Sequence, residues 1–138
     1  MSTDIMYINK IPFLLTISRG LRFGTIKVLP NRQIPTIQQC LSQVFAIYTR
    51  RGFQVNTLLA DNEFEELIPL FPNVHISCCV ADEHCPEIKR FVRTVKDRTR
   101  SQYKMLPFTR VPRAMLVRMV RNVVFWLNSF PAPNGVST

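Results

Sequence analysis

Two aspartates are the residues of this sequence best suited to metal chemistry. Asp4 begins a short predicted strand, and Asp61 directly follows the segment 55–60, which is predicted as a strand of the buried type. The carboxyl end of a strand in an α/β sheet is where ligands and ions bind. If the first and fourth strands are neighbours, Asp4 and Asp61 can share a cation that prefers oxygen, such as Mg²⁺. Alternatively, Asp4 is a terminal surface residue, and Asp61 starts a turn with Asn62.

A second group contains the residue types that bind zinc: His75, Cys78, Cys79, His84 and Cys85. Their spacing does not give two pairs of ligands, each pair two residues apart, as zinc modules have. Cys78 and Cys79 are adjacent, so they point to opposite faces of a strand. Buried strand cysteines are the preferred interpretation, and a zinc-dependent interaction module is the alternative.

The segment 84–100 predicts an amphipathic helix that begins at Pro86. One face carries apolar residues at helical spacing, namely Ile88, Phe91, Val92 and Val95. The other face carries positive charge on Lys89, Arg90, Arg93, Lys96 and Arg100. These five cations are the candidates for contacts with DNA phosphates, which require only charge and reach. The alternative is a helix face that is simply solvated.

The charge of the whole chain favours a polyanionic partner. The 138 residues include 18 basic and 9 acidic ones, a net charge of +9, and eleven of the basic residues lie between 87 and 121. We therefore expect a nucleic acid as partner before a membrane surface. No apolar run approaches the roughly 20 residues of a membrane span. The four cysteines are too few and too unevenly spaced for a secreted disulfide framework, so an intracellular protein is expected.

The strands and helices expected to position these residues form a single α/β domain. Strands are expected over 4–8, 13–18, 25–29, 55–60 and 74–80, and helical segments from 35, over 63–70, over 86–104 and over 112–128. The first three strands predict an antiparallel meander. Together with two further strands they predict a mixed sheet of about five strands flanked by helices. The domain is expected to span 1–130, with an irregular tail over 131–138.

Three segments carry a resemblance to retroelement integrases of the Copia type. Residues 60–64, Ala-Asp-Asn-Glu-Phe, resemble the integrase segment D-[GN]-x-E-F. Residues 86–96 look like the segment with the pattern E-R-x-x-R-T-[IV]-K, and 126–128 with 135–137 look like the region after the core in Copia-type polyproteins. Asp4 falls where that family has its first catalytic aspartate. The resemblance covers essentially the whole chain, and the order and spacing of the segments carry it.

The resemblance implies an RNase H-like fold and a function in DNA integration. In that family three acids hold two Mg²⁺ or Mn²⁺ ions for strand transfer on phosphodiesters. Asp4 and Asp61 would be the first two acids and the metal ligands. Alignment on Arg90 and Arg93 places Lys89 at the third acidic position.

The third acid is where this sequence departs from the family pattern. Glu87 is the nearest substitute, but two residues on a helix correspond to about 200° of rotation. We therefore expect an integrase-like core with impaired catalysis, or a non-catalytic nucleic-acid-binding relic of the same fold. DNA as partner, homo-oligomers and, for an active integrase, a nuclear location are further implications. The chain is also expected to be a fragment of a longer polyprotein, because the family's zinc-binding and C-terminal DNA-binding parts are absent.

Overall fold

The strands and helices follow one another in the predicted order. The computed structural model describes residues 1–19, 21–78, 86–107 and 110–130. The strands are β1 (Ser2–Ile8), β2 (Ile11–Ile17), β3 (Gly24–Val28), β4 (Thr57–Ala60) and β5 (His75–Cys78). The α-helices are α1 (Ile34–Arg50), α2 (Pro86–Lys104) and α3 (Arg113–Ser129), and a 3₁₀ helix covers Asn62–Leu70.

The five strands form one mixed sheet in the order β3-β2-β1-β4-β5. The first three strands are the predicted antiparallel meander, and Asn9 and Lys10 make the β1–β2 turn with φ values of 48° and 65°. Positive φ at both central residues matches the right-handed twist of the flanking strands. β4 pairs in parallel with β1 and with β5. The crossover from the meander through α1 therefore places β4 beside β1, which is the central strand of the sheet.

Alternation along the strands divides the core into two layers. Met6, Phe13 and Leu15 pack with residues of α2 and α3 on one face, which we call the α2 face. Leu14 and Leu58 pack with α1 and the 3₁₀ helix on the opposite face. Helices therefore cover both faces of the sheet, and the apolar stripe predicted for α2 is the side that lies on the sheet.

Several element boundaries differ from the predicted ones. β1 begins at Ser2, so Asp4 lies inside the strand instead of opening it. The segment after Asp61 is a 3₁₀ helix with Pro69 inside it, and proline removes a backbone donor that a longer α-helix would need. The tail 131–138 and the residues Cys79, His84 and Cys85 lie outside the described residues. Within the described residues, no helix is both long and apolar enough to cross a membrane.

Candidate functional site

Asp4 lies in β1, and Asp61 directly follows β4, the neighbouring strand. The parallel register pairs Ser2 with Leu59, so Asp4 and Asp61 stand two residues further along, at the same level of the sheet. Alternation places Asp4 on the α2 face, with Met6. Carboxylate oxygens of the two aspartates lie within 4.8 Å of each other. The approach expected from the sequence therefore occurs, because the crossover makes β1 and β4 neighbours.

The Asp4 carboxyl group is half-buried, and this changes its acidity. Burial raises its pKa to about 6, although the hydrogen bond donated by the Ile5 backbone N–H at 2.8 Å lowers it. The negative charge and hydrogen bonding of Asp61, and the charge of Glu63, also contribute to this rise. The site therefore disfavours negative charge on Asp4 in the absence of a cation.

A third carboxylate joins the two aspartates, and sequence reasoning missed it. Glu63 is exposed, yet one of its carboxylate oxygens lies within 4.8 Å of oxygens of both Asp4 and Asp61. It also forms an ion pair with Arg32, whose guanidinium lies 5.5 Å from the centre of the Tyr7 ring. One feature of the sequence could have identified Glu63: it lies two residues after Asp61, within the segment that resembles integrases.

Glu87 pairs with Arg19 and does not join the acids that converge in the described residues. Its carboxylate accepts a hydrogen bond from Arg19 Nε at 3.0 Å, and the two side chains form an ion pair. Among the described residues, the acids that converge are Asp4, Asp61 and Glu63, without Glu87. Successive residues of a helix point in different directions around its axis. Because Ile88 faces the core, Glu87 faces the β2–β3 turn, where it meets Arg19.

The cations predicted to contact DNA lie along the outer side of α2. Lys89, Arg90, Arg93 and Arg100 are exposed, and Lys96 is half-buried. The buried residues of the same helix are Ile88, Phe91, Val95 and Thr99. The amphipathic pattern therefore presents positive charge outward, starting at the turn of α2 that follows Glu87.

The predicted zinc alternative gains no geometric support from the described residues. His75 is exposed at the start of β5, and Cys78 is half-buried at its end. The group of potential metal ligands found in the described part of the chain consists of carboxylates alone. Oxygen ligands of this kind suit Mg²⁺ or Mn²⁺ better than zinc.

Comparison with known proteins gives a match in structure only. No family model and no curated protein matches the chain. The solved structure of the catalytic core domain of BIV integrase matches with a TM-score of 0.70 and 17% sequence identity, over 99% of this chain and 88% of that one. At this identity the likeness establishes the fold. The sheet order, the helices on both faces and this match together show that the chain has the α/β, RNase H-like fold of a retroviral integrase catalytic core.

Proposed function

We propose that this protein is an integrase-type DNA-binding protein of a Copia-type retrotransposon, with a divalent-metal site and impaired strand transfer. The convergence of Asp4, Asp61 and Glu63 is the observation that carries the proposal. The structural likeness to an integrase core supports it at the level of the fold, and the integrase-like segments support the retroelement type.

The residues fit a Mg²⁺ or Mn²⁺ ion. Asp4, Asp61 and Glu63 each offer a carboxylate oxygen, and hard cations of this kind are bound through oxygen. The charges of Asp61 and Glu63 disfavour ionisation of Asp4, and a bound cation would relieve this repulsion. Bound there, such an ion would supply Lewis-acid activation of a hydroxyl nucleophile and stabilisation of a leaving oxygen. Asp4 and Asp61 would hold it, and Glu63 would complete the set of ligands.

The outer side of α2 is the proposed DNA-binding surface. Arg90, Arg93, Lys96 and Arg100 supply its charge, and Lys89 adds to it. Helix α3 contains three arginines and no acidic residue, so it does not offset this charge. Phosphate contacts of this kind give affinity without base specificity and weaken as salt is added.

Lys89 is the reason to propose impaired strand transfer. A carboxylate at this position would attract a divalent cation, whereas an ammonium group repels it. Glu63 offers a third carboxylate from a different element, but its ion pair with Arg32 must be broken or shared before it serves a metal. We therefore expect metal binding and DNA binding to survive more fully than catalysis.

Metal titration of matched variants tests the proposal. Wild type, Asp61→Asn and Glu63→Gln would be titrated with Mn²⁺ by calorimetry, and Glu66→Gln is the control because Glu66 is exposed and lies outside the cluster. We expect Asp61→Asn to abolish binding, Glu63→Gln to weaken it, and Glu66→Gln to leave it unchanged. Equal binding by all four proteins would refute the metal site.

A non-catalytic nucleic-acid-binding protein of the same fold is the second candidate. The Arg32–Glu63 ion pair favours it, because it places positive charge on one of the three carboxylates. Lys89 favours it too, because it stands where the integrase pattern has an acid. It predicts tight, salt-dependent DNA binding in EDTA and no joining of DNA ends in Mn²⁺. Metal-dependent joining by the wild type would reject it. An integrating protein would also work as a homo-oligomer in the nucleus, which sedimentation and localisation experiments would test.

A further inference from the structure

A cavity of about 390 Å³ lies on the α2 face of the sheet and has no role in the function proposed above. It is enclosed by the β2–β3 turn, the first half of α2 and the end of α3. Its volume falls in the range of roughly 300–1,000 Å³ that is typical of sites for small ligands.

Specific contacts hold the walls of this cavity in place. The Asn128 side chain at the end of α3 accepts a hydrogen bond from the Gly24 N–H at 2.8 Å and donates one to the Gly24 carbonyl at 2.7 Å. The Phe91 ring lies against Gly24, where an added Cβ would come within 2.3 Å of Phe91 Cζ. The Ser18 hydroxyl accepts a hydrogen bond from the Phe23 N–H at 3.0 Å and closes the turn. The cavity is therefore part of the fold and not a gap between loosely packed elements.

The lining combines flat aromatic rings with guanidinium groups, and the one carboxylate among its described residues, Glu87, is paired with Arg19. Phe23, Phe91 and Phe130 contribute rings, and Phe130 is 69% exposed at the rim. Arg22 and Arg90 contribute exposed positive charge, and no ion pair or side-chain hydrogen bond holds either of them within the described part of the chain. Rings that stack on a base beside arginines that bind its phosphate are the combination used by sites for single-stranded nucleic acid.

The cavity and the acidic cluster occupy the same face of the sheet. Ile17, in the cavity wall, pairs with Ser2 across β1 and β2, and Ser2 lies two residues before Asp4 on the same side of β1. Arg90 belongs both to the cavity and to the proposed DNA-binding surface of α2. A DNA strand bound along the outer side of α2 would therefore reach the cavity at Arg90.

We propose that this cavity binds one unpaired nucleotide at the end of a DNA strand, with its base stacked against Phe130 and its phosphate on Arg22 and Arg90. The inference rests on the proposed function only for the source of the nucleotide, a DNA end. An acidic peptide is the competing ligand, but a peptide carboxylate does not need a stacking ring at the rim, and the net charge of +9 favours a polyanion.

Fluorescence of 2-aminopurine tests the proposal without metal. A duplex with a two-nucleotide overhang ending in 2-aminopurine and a blunt duplex would be titrated with the full chain in EDTA. We expect quenching and roughly tenfold tighter binding of the overhang duplex, and loss of that preference in Phe130→Ala, since base stacking contributes about that much. Phe53→Ala, which changes an exposed phenylalanine outside the cavity, is the matched control and keeps the preference.

Two variants that each remove one positive charge complete the design. Arg22→Gln should remove the overhang preference, whereas Arg118→Gln, an exposed arginine of α3 outside this cavity, should weaken both duplexes equally. Equal binding of overhang and blunt duplexes by the wild type would overturn the proposal. If the protein also quenches the fluorescence of free 2-aminopurine mononucleotide at the same concentration, the ligand is a free nucleotide. That result would overturn the DNA end as its source. Because no metal is present, failure here leaves the metal titration of Asp61→Asn as a separate test of the proposed function.

Discussion

Replacing Asp4 with asparagine should stabilise the metal-free protein and remove its response to divalent metal. The substitution keeps the oxygen that accepts the hydrogen bond from the Ile5 N–H and removes the negative charge. Burial and the neighbouring carboxylates raise the pKa of Asp4 from 3.8 to about 6. The folded state therefore favours the protonated carboxyl group, and above pH 6 the ionised group destabilises the fold relative to the unfolded chain.

The size of the effect follows from the pKa. A pKa difference between 3.8 and about 6 corresponds to a loss of at most about 3 kcal/mol in unfolding free energy. Since Asp4 is only half-buried, solvent screening reduces this to about 1–2 kcal/mol. For a domain of this size that is roughly 4–8 °C in Tm. The penalty is absent below about pH 4, develops as the pH rises toward 6 and is complete above it, so wild type and Asp4→Asn should converge at low pH.

Thermal unfolding measured in EDTA and in excess Mn²⁺ provides the assay. In EDTA at pH 7.5 Asp4→Asn should melt above the wild type. Excess Mn²⁺ should raise the Tm of the wild type alone, by an amount that corresponds to about 2.7 kcal/mol at one hundred times its Kd, and reverse the order. Asp97→Asn, the same chemical change on the exposed side of α2, should change neither value. The reasoning fails if Asp4→Asn melts below the wild type in EDTA, or if both respond equally to Mn²⁺.

Three further predictions concern the lysine at the third acidic position, the DNA-binding surface and the packing of α2. Lys89→Glu should raise Mn²⁺-dependent nicking of DNA by at least about tenfold, because it replaces repulsion of the ion by attraction, and Lys89→Gln should raise it less; equal rates in a plasmid nicking assay would contradict this. Arg93→Gln should lower the log–log salt slope of DNA affinity by about 1, measured by anisotropy, whereas Arg50→Gln at the end of α1 should not, and equal slopes would exclude Arg93 as a phosphate contact. Gly24→Ala should cost about 1–3 kcal/mol of unfolding free energy in urea, because its Cβ would overlap the Phe91 ring. Adding Phe91→Leu should recover part of that loss, and an unchanged midpoint for Gly24→Ala would show that the contact is not tight.

The α/β class and the order of the elements were predictable because each rests on local patterns. Alternation and apolar runs indicated the strands, and the stripe at helical spacing indicated α2 with both of its ends. The ends of β1 and β4 were less predictable, since pairing with neighbours decides where a strand begins. Cys79 and the tail 131–138 lie outside the described residues, so the expectations for them remain predictions.

The sequence by itself determined which residues could do chemistry, because residue type and short-range spacing are local properties. It marked Asp4 and Asp61 as a pair, and it showed a lysine at position 89 where an integrase pattern has an acid. Only the tertiary structure decided which acids converge. Pairing of β1 with β4 brought Asp4 to Asp61, the 3₁₀ helix brought Glu63 to both, and the rotation of α2 about its buried stripe placed Glu87 on Arg19. Apart from the approach of Glu63 to Asp61, these contacts join residues more than fifty positions apart, and no periodicity along the chain encodes the distances between them.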